Sequence, residues 1–168
     1  MLRKLMEKDA EKMLEWMHDP DINCYFRFDA NDMNMERTIE FIIKSNESKT
    51  DRHYAIVNED DEYLGTVSLK NIDYKNKKAE YAISTRKKAH GTGVAYEATK
   101  EIIRIAFEEL NLNRLYLNVL SINERAIKFY EKVGFIFEGE SKQDIYIRGN
   151  FYNLKWFGIT NLDRMGEI

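Results

Sequence analysis

Cysteine occurs once in the chain, as Cys24. A single thiol excludes an intrachain disulfide and a zinc site built from cysteines alone. Proline also occurs once, as Pro20, and no proline-rich or low-complexity linker divides the sequence. The three histidines, His18, His53 and His90, lie far apart and suggest no metal site. No apolar run approaches the ~20 residues of a membrane span. The segment from Met1 to Asp9 is charged throughout and has no apolar signal region, so a cytoplasmic protein is expected. Charge of one sign is not in excess: 26 Lys and Arg stand against 29 Asp and Glu, a net charge of −3. That balance argues against a nucleic-acid binder held by a broad basic face. What remains is 168 residues, 43% hydrophobic and 33% charged. This fits a single domain, residues 1–168, with a substantial core.

The pattern alternates strands and helices. Leu2 to Leu5 reads as a short strand, with Asp9 as the N-cap of a helix carrying Ala10, Met13, Leu14 and Met17 on one face. His18-Asp19-Pro20-Asp21 reads as its stop and turn. A polar region with inserted rings follows, then a second amphipathic helix on Met35, Ile39, Ile42 and Ile43. Three strands come next: Tyr54 to Val57, Tyr63 to Leu69 and Ala79 to Ser84. A helix is expected over Val94 to Leu110, a strand over Leu115 to Leu120 and a helix over Arg125 to Lys132, closed by Gly134. At the C-terminus Phe135 to Phe137 begins a strand, and Ile145-Tyr146-Ile147 and Leu154 to Ile159 flank Arg148-Gly149-Asn150, a hairpin turn signal. The class is mixed α/β, antiparallel at first and with helical crossovers later.

The loop His90-Gly91-Thr92-Gly93-Val94-Ala95 joins a strand to a helix. Exposed N–H groups and the positive end of a helix dipole make such a junction a phosphate site. A dinucleotide fingerprint would need a third glycine where Tyr96 stands, and a P-loop would need Gly-Lys-Ser/Thr, which is absent. About thirty residues on comes Asn123-Glu124-Arg125-Ala126-Ile127-Lys128-Phe129-Tyr130-Glu131-Lys132-Val133-Gly134-Phe135.

Together the two segments resemble the GNAT superfamily of acetyl-CoA-dependent N-acetyltransferases. The first matches its pyrophosphate loop, Gln/Arg-x-x-Gly-x-Gly/Ala, at Gly93 and Ala95, with His90 in place of Gln or Arg. The second matches Asn-x-x-Ala-x-x-x-Tyr-x-x-x-Gly-Phe at Asn123, Ala126, Tyr130, Gly134 and Phe135. Within the superfamily the chain is similar to the branch of ribosomal-protein, spermidine and amino-sugar acetyltransferases. The resemblance implies a mostly antiparallel central sheet with helices on both faces and two strands splayed at the cofactor site.

It also implies where acetyl-CoA binds. The pantetheine arm would enter beside Ile83, Ser84 and Thr85, with an N–H near Ile83 bonding the thioester oxygen. The pyrophosphate would lie on His90, Gly91, Thr92, Gly93, Val94 and Ala95, with Asn123 and Lys132 nearby. Arg86, Lys87 and Lys88 either add charge near the 3′-phosphate or form a solvated basic loop. Tyr130 is the expected general acid, because a phenol with a pKa of about 10 keeps its proton for the leaving thiolate. Glu80 is the expected base, acting through a water if it faces the cleft. An exposed Glu80 would leave deprotonation to solvent. No metal is needed.

Tyr25, Phe26 and Arg27 mix rings with a cation and are expected to hold the acceptor. That mix favours a nucleotide-linked amino sugar. A polyamine or a protein N-terminus is the alternative, and Asp29, Asp32, Glu36 and Glu40 are the carboxylates available to a polyamine. A reading of another class is a module that binds acetyl-CoA without catalysis. The C-terminal strands are a possible homodimer contact, and no nucleic-acid or membrane partner is expected.

Overall fold

The computed structural model describes residues 1–26 and 29–165. Seven strands form one sheet: β1 Leu2–Lys4, β2 Arg52–Val57, β3 Tyr63–Asp73, β4 Lys78–Thr85, β5 Arg114–Leu120, β6 Ile136–Ile147 and β7 Asn150–Thr160. Their order is β1-β2-β3-β4-β5-β7-β6. Every neighbouring pair is antiparallel except β4 and β5, which run parallel. A parallel pair needs a helical crossover, and α4, Val94–Arg104, supplies it. The other helices are α1 Ala10–Met17, α2 Pro20–Asn23, α3 Met35–Glu47, α5 Glu124–Lys132 and α6 Asn161–Met165.

Strand alternation divides the core in two. One face carries Val67, Leu69, Ala79, Tyr81, Leu115 and Leu117, packed under α4 with Ala98, Ile102 and Ala106. The other carries Ala55, Val57 and Tyr63, packed against Ala10, Met13 and Trp16 of α1 and Ile42 of α3. Ala10, Met13, Trp16 and Met17 recur at helical spacing, which explains why this stretch is a helix and which side it buries.

Four local readings change. Asp9 does not cap α1; its carboxylate takes two hydrogen bonds from Arg3, at 2.7 and 2.8 Å, and one from the Met6 N–H. The segment from His18 does stop α1, at Met17, but no open turn follows: Pro20 starts a second short helix, with Asp19 accepting from the Asp21 N–H at its N-cap. The long helix widens after Arg104 into a π turn, Ile105–Glu109, which buries the consecutive residues Ile105, Ala106 and Phe107. A regular helix would turn one of the three to solvent. Finally, β6 is continuous. The strand begun near Phe135 to Phe137 runs on to Ile147, and register shifts between Phe137 and Gly139 and between Ser141 and Ile145 let it absorb the polar residues between.

The basic triplet before the glycine loop is spent on the fold. Arg86 is buried and binds Glu15 through two nitrogens, at 3.0 and 2.7 Å, and Glu62 at 2.8 Å. It also donates to the Tyr63 carbonyl at 3.0 Å. Lys88 pairs with Glu62 and Lys87 with Asp21. These contacts tie α1, α2 and β3 to the end of β4.

That end is where the sheet opens. β4 and β5 pair only at Lys78–Arg114, Ala79–Leu115 and Glu80–Tyr116. Beyond Glu80, β4 stays with β3 through Gly65–Thr85, and β5 stays with β7 through Leu120–Leu154. The divergence leaves a gap between the two central strands. Gly65 allows the close approach of β3 to the open end: a Cβ there would lie 2.5 Å from the Ser84 carbonyl oxygen and 2.9 Å from the Thr85 Cα. Gly65→Ala is expected to lower stability by about 1–3 kcal/mol, as overpacking of a dense core does. Chemical denaturation reads this as a lower midpoint with an unchanged slope.

Candidate active site

The gap opens into a cleft of about 460 Å³. Its floor is the end of β4, with Ile83, Ser84 and Thr85. One wall is the loop from Ala89 to Ala95, and the other is α5, with Ala126, Phe129 and Tyr130. Ile22, Tyr25 and Phe26 close the mouth. A second groove of 720 Å³, between the start of β1 and the outer face of α4, shares only Val94 with the expected site. The smaller cleft is therefore the candidate, because the motif residues converge there.

Local structure explains the loop. Gly91 and Gly93 adopt φ values of 78° and 84°, a region that disfavours side chains with a Cβ. The Thr92 hydroxyl donates to the Ala89 carbonyl at 2.8 Å, bracing the turn from outside the cleft. The first hydrogen bond inside α4 runs from the Glu97 N–H to the Gly93 carbonyl. The N–H groups of Ala95 and Tyr96 therefore point out of the helix end, as first-turn amides do. Val94 turns the other way, against the core. An anion resting on this turn would meet backbone donors and the positive end of the α4 dipole.

His90 lines the cleft beside the end of β4. Burial, then the nearby Arg125, lowers its pKa below the usual histidine value, so the imidazole is neutral at pH 7. Asn123 caps α5 by accepting from the Ala126 N–H at 3.2 Å, which fixes the helix that carries Tyr130.

Tyr130 sits in a box of rings. Phe129, Tyr81, Phe135 and Phe157 surround it at centroid distances of 5.7, 6.1, 6.2 and 6.4 Å. Burial pushes its phenol up to about 12. No side chain among the described residues bonds that hydroxyl, and the residue lines the cleft. Its neighbour Tyr81 differs. The Tyr81 hydroxyl lies 2.7 Å from Thr99 Oγ1, and the Thr99 hydroxyl donates to the Ala95 carbonyl, also at 2.7 Å.

Glu80 lies elsewhere. It precedes the divergence, and its carboxylate accepts from Lys70 at 3.1 Å and from Asn71 at 3.0 Å. Alternation puts it on the sheet face opposite Tyr81 and Ile83, and it is not part of the cleft lining. The structure thus brings together Tyr130, Ile83, Ser84, Thr85, His90, Gly91, Gly93, Ala95, Asn123 and Lys132, and it leaves out Glu80, Thr92 and Val94. Tyr25 and Phe26 join the lining, whereas Arg27 lies outside the described residues. Tyr96, Arg125 and Phe129 also line the cleft and were not foreseen. Arg125 and Phe129 stand four residues apart and directly precede the motif residues Ala126 and Tyr130, which have the same spacing, a signal the sequence does carry.

Comparison with known proteins agrees with this architecture. Residues 1–136 match the family model described as an acetyltransferase (GNAT) domain. The putative ribosomal N-acetyltransferase YdaF of Bacillus subtilis is 29% identical over 175 residues, covering 99% of this chain and 93% of that protein. The spermidine N(1)-acetyltransferase of Escherichia coli is 38% identical over 98 residues, 58% of this chain and 53% of that one. Among solved structures, the spermidine N-acetyltransferase of Vibrio cholerae in complex with CoA and spermine superposes with a TM-score of 0.89 at 24% identity, over 98% of this chain and 97% of that one. The family match spans most of the chain and the fold is shared end to end: the protein belongs to the GNAT family, N-acetyltransferases that take the acetyl group from acetyl-CoA.

Proposed function

We propose that the cleft between β4 and β5 binds acetyl-CoA and that the protein transfers its acetyl group directly to a primary amine of a small molecule, with Tyr130 as general acid. The observation that carries this reading is a half-buried, protonated phenol in the same cleft as a helix N-terminus with free backbone donors. The residues present fit the co-substrate. The splayed edge of β4 offers backbone groups to an extended chain, as a neighbouring strand would. Gly91, Gly93 and the first turn of α4 offer donors to a diphosphate.

Acetyl-CoA supplies a thioester, which is an acyl group already activated towards an amine. The chain's own residues do the rest. Backbone N–H groups near Ile83 polarise the carbonyl, and the cleft walls hold the reactants in register. Tyr130 gives its proton to the departing sulfur. The amine arrives neutral through solvent deprotonation, because Glu80 is engaged by Lys70 and Asn71 on the other sheet face.

For the acceptor, the charges favour an amine that is not a polycation. Asp21 is the one carboxylate among the described lining residues, and Lys87 already pairs with it. A polyamine would also face Arg125. Tyr25 and Phe26 suit a ring-bearing acceptor such as a nucleotide-linked amino sugar. The second reading, a polyamine, draws support from the spermidine N(1)-acetyltransferases among the relatives. Thiol release from acetyl-CoA, measured across amino sugars, polyamines and peptides, decides between them. Faster release with amino sugars supports the first reading and with polyamines the second. No acceleration by any amine, with acetyl-CoA still bound, would leave a binding module.

Tyr130→Phe is expected to reduce kcat about 10²- to 10⁴-fold with little change in acetyl-CoA affinity, the range for loss of a general acid. Full rate in that variant removes the assignment. A phenol whose folded pKa is raised donates its proton at every lower pH and loses it only as pH rises through about 12. An ultraviolet difference titration of the wild type against Tyr130→Phe should place the missing transition near there, above the ordinary tyrosine value. Glu80→Gln should change kcat by less than about twofold and leave the pH profile intact, as for a surface pair remote from the reaction.

A further inference from the structure

We propose that Ser68 and His53 form a proton relay on the far side of the sheet from Tyr130, and that it takes up the proton the amine nitrogen sheds after attacking the thioester. This rests on the reading of the cleft as the site of acetyl transfer.

A neutral amine that attacks the carbonyl becomes a cationic nitrogen in the tetrahedral adduct. The C–N bond forms, the C–S bond breaks, and Tyr130 protonates the sulfur from the α5 side of the sheet. The nitrogen must still lose one proton before the amide is complete. Sulfur leaves towards Tyr130, so the nitrogen enters from the opposite side of the carbonyl. That side is the sheet face that carries Glu80 and Ala82. Phe26, at the mouth of the cleft, packs with the α1 cluster on the same side. Glu80 is engaged by Lys70 and Asn71. Tyr116, its partner on β5, has its phenol pushed up by burial and keeps its own proton.

Ser68 lies on this face too, because it alternates with the core residues Val67 and Leu69. It is nearly buried and stands opposite Ala82 in the β3–β4 register. Ala82 is the first residue of this face beyond the last β4–β5 pair, at Glu80. Its side chain is a single methyl, which leaves room above it for water. Neighbouring strands are about 4.8 Å apart, so a nitrogen at the edge of β4 lies within a short water bridge of Ser68. Behind Ser68, His53 of β2 places Nδ1 2.7 Å from the Ser68 Oγ. The Phe41 ring of α3 meets the imidazole edge to face at 5.0 Å and fixes its plane.

Burial lowers the pKa of His53. Asp51 opposes that effect and Lys70 adds to it, while Arg37, Glu40, Lys44 and Glu47 stand around the groove that the ring lines. The imidazole is therefore neutral at pH 7 and able to accept. In the relay, water takes the nitrogen's proton and passes one to Ser68, whose hydroxyl hydrogen moves to Nδ1. The imidazolium returns its proton to bulk water once the product has left.

Ser68→Ala and His53→Ala each break the relay. Thiol release from acetyl-CoA is measured with the fastest amine among the amino sugars, polyamines and peptides. Both variants are expected to lose kcat about 10²-fold, the lower end for general-base catalysis, with acetyl-CoA affinity by calorimetry unchanged. The wild-type kcat should fall as pH drops through a value below the ordinary histidine pKa, since a protonated ring cannot accept; both variants lack that limb. Added imidazole should restore rate to His53→Ala, entering by the groove of about 650 Å³ that His53 lines, and not to Ser68→Ala. Nitrogen NMR of the wild type without substrate should find the His53 hydrogen on Nε2, with Nδ1 accepting from Ser68. Wild-type kcat in either variant overturns the proposal, as does a retained acid limb, equal rescue of both variants, or a hydrogen on Nδ1. A wild type that releases thiol with no amine is a different result and removes the acetyl-transfer reading itself. Thermal midpoints verify folding; should His53→Ala not fold, Ser68→Ala and the ring tautomer still decide.

Discussion

Backbone amides inside a sheet must be paired, and this sheet separates its two central strands after three residue pairs. The rest of the molecule is arranged around that opening. On one side Gly65 holds β3 tightly against the end of β4, and on the other β7 follows β5 through Leu120. The strands are therefore firm at their outer edges and unpaired only where they face each other. An extended ligand can then complete the hydrogen bonding that the protein leaves undone. The parallel direction of the pair matters as well. It requires α4 as a crossover, and the crossover places a helix N-terminus beside the gap.

Charge is distributed to the same end. Arg86 is buried, yet every nitrogen of its guanidinium bonds an oxygen of Glu15, Glu62 or the Tyr63 backbone. A buried cation without such partners would be strongly destabilising. With them, it fastens helix α1 to the strand that carries the site. The lysines beside it do the same for α2 and the turn before β3.

Features that depend on near neighbours were readable from the sequence. Gly91 and Gly93 imply an open turn, Asn123 implies a helix start three residues before Ala126, and Gly134 implies its end. The family resemblance rests on these residues and carries the fold with it. Features that depend on distant neighbours were not readable. Alternation shows that Glu80 and Ile83 lie on opposite faces, but only the tertiary structure shows which face meets the cleft. Arg86 reads as a solvent-facing cation because its partner Glu15 is 71 residues away. The length of β6 was not readable because pairing with β7, and the bulges that permit it, leave no period-two signal. Tyr96 lacked a motif position of its own and gained meaning only from the shape of the cleft.

Two phenols meet edge to face beneath the opening, and their hydrogens have different fates. Thr99 gives its hydroxyl hydrogen to the Ala95 carbonyl, so its oxygen must accept, and the hydrogen of Tyr81 is the one it receives. Tyr81 is thereby a one-way link from the middle of the sheet to the helix end, with no hydrogen to lend. Tyr130, a ring's width away, has no such commitment among the described residues. The directionality of one threonine thus distinguishes two chemically identical groups: one hydrogen is committed, and the other is uncommitted among the described residues.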